Sequence, residues 1–78
     1  MKKILVFKSD NSIVDYDKEF IQTEKNTRVY YNNILLYIYG TLNETNSTIE
    51  EVEEIKNWNF NKFIFVDGEV INTSEEEL

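Results

Sequence analysis

The chain contains no cysteine, no histidine and no proline, and only two glycines among 78 residues. Each absence removes a class of chemistry. Without cysteine, neither a disulfide framework nor a thiolate metal site can form. Secreted domains of this size usually carry several bridges, so a reducing, cytoplasmic compartment is expected. Without histidine or cysteine the usual general base and a common nucleophile are missing, and two glycines leave no phosphate-cradling loop. A carboxylate pair could still attack a glycoside, but a chain this small can hardly enclose the cleft that reaction needs. A non-enzyme without a cofactor is expected. The absence of proline, together with the lack of any internal repeat, leaves no sign of a linker or an array.

Positive charge is also scarce. Eight basic residues stand against fifteen acidic ones, for a net charge of −7. Direct nucleic-acid binding needs clustered Lys and Arg against phosphate, so it is not expected. The negative field would instead speed encounter with a protein partner that has a basic surface. Near the start, Lys2 and Lys3 precede only Ile4 to Phe7 before charge returns, which is too short for a signal-peptide core or a membrane span. No membrane association is expected.

What remains is 41% hydrophobic and 14% aromatic, enough large side chains to order a chain that buries only about 60% of its unfolded surface. One domain is expected over residues 1–73, followed by an acidic C-terminus, 74–78, with little apolar surface to hold it down. Ile4-Leu5-Val6-Phe7 predicts a strand buried on both faces and central in a sheet. The turn residues Ser9 to Ser12 predict a reversal into a second strand over Ile13–Tyr16. Residues 17–26 are compatible with strand, helical turn or loop. Asn32-Asn33 predicts a type I′ hairpin between Thr27–Tyr31 and Ile34–Tyr39, because Asn tolerates positive φ, and Asp67-Gly68 predicts another between strands near Lys62–Val66 and Glu69–Asn72.

Between these hairpins, Asn43 to Thr48 is a run of capping residues, with Glu50 three positions after Ser47. Ile49, Val52, Ile55 and Trp58 recur every three residues, and this spacing predicts an amphipathic helix to about residue 58. The expected fold class is α+β, an antiparallel or mixed sheet of five to six strands with one helix on one face, in the order ββ-x-ββ-α-ββ.

Two candidate binding surfaces follow from that architecture. On a helix, Glu50, Glu51, Glu53 and Glu54, preceded by Glu44, would present an acidic face able to imitate phosphates in the cationic channel of a nucleic-acid-handling protein. The plainer alternative is a solvated face kept for solubility. In size and charge the chain resembles the small acidic inhibitors that phages and mobile elements direct against CRISPR or restriction enzymes, a likeness of composition without a shared motif. It implies a binding protein that inhibits or modulates a host-defence effector such as a CRISPR nuclease. The rival expectation is a structural or assembly subunit, or a homodimer, that uses a sheet face bearing Tyr30, Tyr37 and Tyr39, with Tyr16 and Tyr31 as further candidates. Asp15, Asp17 and Glu19 alternate and would share one face of a strand, but they lack the spacing of a calcium loop, and no metal site is expected.

Overall fold

A computed structural model describes residues 1–73 of the chain, so the expectation for 74–78 lies outside the described residues. The fold is built from eight strands: β1 (Lys2–Phe7), β2 (Ile13–Tyr16), β3 (Glu19–Gln22), β4 (Thr27–Tyr31), β5 (Ile34–Tyr39), β6 (Ser47–Val52), β7 (Phe63–Val66) and β8 (Glu69–Asn72). All pairings are antiparallel. They form three small sheets, ordered β2–β1–β6, β3–β4–β5 and β7–β8.

The central sheet is organised by β1, whose apolar run alternates between two cores as period-two geometry requires. Ile4 and Val6 join Ile13, Val52, Ile55 and Phe63 on one side, with Phe65 and Val70 of the β7–β8 hairpin packed against them. Leu5 joins Phe20 and Val29 of the β3–β4–β5 sheet on the other side. The central sheet is thus covered on both faces, by the hairpin and by the second three-stranded sheet. Ile4 and Leu5 are both 0% exposed.

The turns follow their side chains. Asn32 and Asn33 have φ of 51° and 64°, and Asp67 and Gly68 have φ of 51° and 81°, the two-residue left-handed pattern of type I′ hairpins. In the first hairpin Asp10 accepts the Ser12 backbone N–H at 3.0 Å, and this bond holds its carboxyl below the usual carboxylate range. Residues 17–26, undecided by sequence, contain β3. Asp17 enters it at φ 57°, and Thr23 closes the exit by accepting the N–H groups of Lys25 and Asn26, each at 3.1 Å.

The α+β expectation is overturned, since no α-helix occurs among the described residues and Ser47–Val52 is a strand. A strand buried on both faces must have hydrogen-bond partners along both edges, because an orphaned backbone group away from water is costly. β2 pairs one edge of β1, and β6 pairs the other in an unbroken register from Lys2↔Val52 to Phe7↔Ser47. A helix there would strip that edge. The three-residue spacing also has a second solution. Residues three apart share a helix face but lie on opposite faces of a strand, so Ile49 packs beside Leu5 while Val52 joins the Ile4 core. The capping residues build one turn that does not propagate: Ser47 N–H donates to the Asn43 carbonyl at 3.0 Å, and Asn43 Oδ1 accepts from Thr45 and Asn46.

Candidate interaction surface

The β3–β4–β5 sheet covers the central sheet with one face and presents the other outward. Directly paired residues lie on the same face, so the register assigns both. Phe20–Val29–Tyr37 and Gln22–Thr27–Tyr39 form rows that face inward, and Phe20, Thr27 and Val29 are buried. Ile21–Arg28–Ile38 and Glu19–Tyr30–Leu35 are the outward rows. The register shifts between Val29 and Tyr30, where Leu36 is the extra residue of a β-bulge. That bulge puts Leu35 and Ile38 on the same face although simple alternation along β5 would separate them. Ile21 is 51% exposed and Ile38 49%, with Leu35 close behind, and every residue of β5 from Ile34 to Ile38 is exposed. An apolar strand this open at a sheet edge is uncommon on a monomer.

The inward tyrosines meet a buried carboxylate. Asp15, opposite Leu5 in the β1–β2 register, faces the second sheet and is only 5% exposed. Its Oδ2 accepts the hydroxyls of Tyr37 and Tyr39, and its Oδ1 accepts the Tyr16 N–H at 2.8 Å and Lys18 Nζ at 3.1 Å. The Tyr37 and Tyr39 rings pack edge to face, 5.3 Å apart. Burial, reinforced by the Asp15 hydrogen bond and charge, pushes the Tyr37 hydroxyl up to about 12, and burial beside Asp15 raises Tyr39 as well. The Asp15 carboxylate is fully engaged as a tie between two layers.

No family model, curated protein or solved structure matches the chain.

The structure redistributes the residues singled out from sequence. Glu50 and Glu51 are neighbours on β6 and project to opposite faces, while Glu44 lies in the turn before that strand. Glu53 and Glu54 follow β6, exposed, and with Glu51 they line an open groove against Ile55, Phe63 and Val70. The five carboxylates do not form the single face that a helix would have made. Of the tyrosines, Tyr37 and Tyr39 come together on the inner face, and Tyr30 stands on the outer one. Tyr16 packs against Trp58 with ring centres 5.5 Å apart, and Tyr31 is exposed. Asp15, Asp17 and Glu19 do not share a strand: they occupy β2, a turn and β3, and Asp17 pairs with Lys2 at 3.5 Å. Sequence reasoning missed Ile21, Arg28, Leu35 and Ile38 as one surface. Their outward alternation was visible in Thr27–Tyr31, but joining the strands needed β3 and the bulge.

Proposed function

We propose that the chain is an assembly module, binding through the outer face of the β3–β4–β5 sheet, and that it acts by covering that face with another polypeptide rather than by catalysis. The observation that carries this reading is the outward cluster of Ile21, Tyr30, Leu35 and Ile38, in which Ile21, Leu35 and Ile38 are exposed and Tyr30 is partly buried among the described residues. Burying exposed apolar area is the main driving force of association, at roughly 25 cal/mol per Å². The alternative, in which carboxylates imitate phosphates, retains the support of the −7 charge. It has less geometric support, because Glu50 and Glu51 diverge on β6.

The test compares polypeptides recovered by the tagged chain, other copies of itself included, with those recovered by two variants. Ile38→Asp should lose them while keeping the wild-type circular dichroism spectrum. The triple variant Glu50→Lys, Glu53→Lys, Glu54→Lys should retain them. The reverse pattern would transfer the role to the acidic residues.

A further inference from the structure

We propose that the polypeptide covering this face is a second copy of the chain, docked face to face about a two-fold axis, with Arg28 of each copy set against Glu19 of the other. The proposal rests on the assembly reading above and names its partner.

Charge selects the face. A chain carrying −7 repels its own copies, and the penalty is smallest where the approaching surfaces are themselves neutral. The outer face meets that condition, since its two rows contain one cation, Arg28, and one anion, Glu19. Among the described residues the ion pairs are Lys2 with Asp17 and Lys18 with Asp15. Arg28 and Glu19 are both exposed, and neither has an ion-pair partner among the described residues.

Symmetry makes these two charges complementary. Arg28 is central in the row Ile21–Arg28–Ile38, and Glu19 ends the neighbouring row Glu19–Tyr30–Leu35. A two-fold axis lying in the interface midway between them exchanges their positions, so the same ion pair forms twice. That is the condition for an isologous dimer. Ile21 and Tyr30, each beside one of the two charges in its row, flank the pairs, and Leu35 extends the apolar contact along the face.

Area sets the strength. Ile21, Leu35 and Ile38 are each about half exposed, Arg28 and Glu19 are exposed and Tyr30 is partly buried; together they supply on the order of 500 Å² per copy and ~1,000 Å² in all, the low end for a specific interface. A reversible, concentration-dependent dimer follows. The bulge at Leu36 interrupts the outer edge of β5 and so favours docking by the face over strand-to-strand addition along the edge.

Sedimentation of the untagged chain over roughly 1–500 µM, a range suited to an interface of this size, should show monomer converting to dimer. Arg28→Glu and Glu19→Arg should each weaken the dimer by about tenfold or more, because each sets like charges face to face. An equimolar mixture of the two variants should recover a dimer. In it the carboxylate introduced at position 28 of one variant meets the guanidinium introduced at position 19 of the other, and the unaltered Glu19 and Arg28 still pair across the axis. Recovery on mixing also shows that both variants are folded. A wild-type chain that stays monomeric throughout, or variants that remain monomeric when mixed although each keeps the wild-type spectrum, would overturn the proposal. If the chain is monomeric yet Ile38→Asp abolishes capture of a different polypeptide, the second copy is wrong and the assembly reading stands. If Ile38→Asp changes neither self-association nor capture, both fall.

Discussion

Tyr39 on β5 donates a 3.0 Å hydrogen bond to Oδ2 of Asp15 on β2, joining the outer sheet to the central one through a carboxylate that is almost wholly buried. Tyr37 donates to the same oxygen, and Lys18 pairs with the other at 3.1 Å. This cluster fixes how the outer sheet lies on the core, and thereby which of its faces remains free. Replacing Asp15 with Ala removes the acceptor for all of these donors at once. The expected loss is about 3 kcal/mol, in the range for breaking a buried charged pair, measured as a lower urea midpoint. Tyr37→Phe, which removes one hydroxyl and leaves the ion pair, should cost about 1 kcal/mol.

Alkaline pH should loosen the same joint. The folded chain holds the Tyr37 proton to about 12, above the ordinary value of 10.0, and Tyr39 is raised too. Between the unfolded and folded values the unfolded chain gives up these protons while the folded chain keeps them. Stability from this source is therefore complete below pH 10 and falls as pH rises toward and through 12. Tyrosinate absorbance followed with pH should contain a late component that disappears in the Tyr37→Phe, Tyr39→Phe double variant.

The Asn32-Asn33 hairpin should respond to backbone chemistry alone. Both residues have positive φ, so Asn33→Gly should stabilise by about 0.5 kcal/mol and Asn33→Val should destabilise by roughly 1–2 kcal/mol. Thermal melts of the two variants should move in opposite directions. Asn33 is exposed, so packing does not obscure the effect.

Ile4 and Leu5 test the two-sided core. They are adjacent in sequence, both fully buried, and belong to separate clusters. Each change to Ala should cost about 2–5 kcal/mol. Because the cavities open on opposite sides of the sheet, the double variant should come close to the sum of the single costs. A strongly sub-additive result in urea unfolding would mean that the two cores collapse as one.

Local chemistry determined most of the strands and the reversals at Ser9–Ser12, Asn32-Asn33 and Asp67-Gly68, but not the one at Asp17. The Ile4–Phe7 run needed only its β-branched, uncharged composition to indicate a strand buried on both sides, and the Asn32-Asn33 and Asp67-Gly68 turns needed only residues that accept left-handed backbone. Such preferences act within a few residues, so sequence alone expresses them. Ser47 to Trp58 was different. Its caps and three-residue spacing suit a helix and also suit a strand buried on alternate faces, and the choice was made by the unpaired edge of β1, some forty residues away in the chain, which required a hydrogen-bonding neighbour. The same holds for the surface. That Tyr37 and Tyr39 turn inward to Asp15, and that Leu35 and Ile38 share the outer face, depends on strand register and on one bulge at Leu36. Register is a relation between strands, so only the tertiary structure decided which apolar residues this protein buries and which it leaves open.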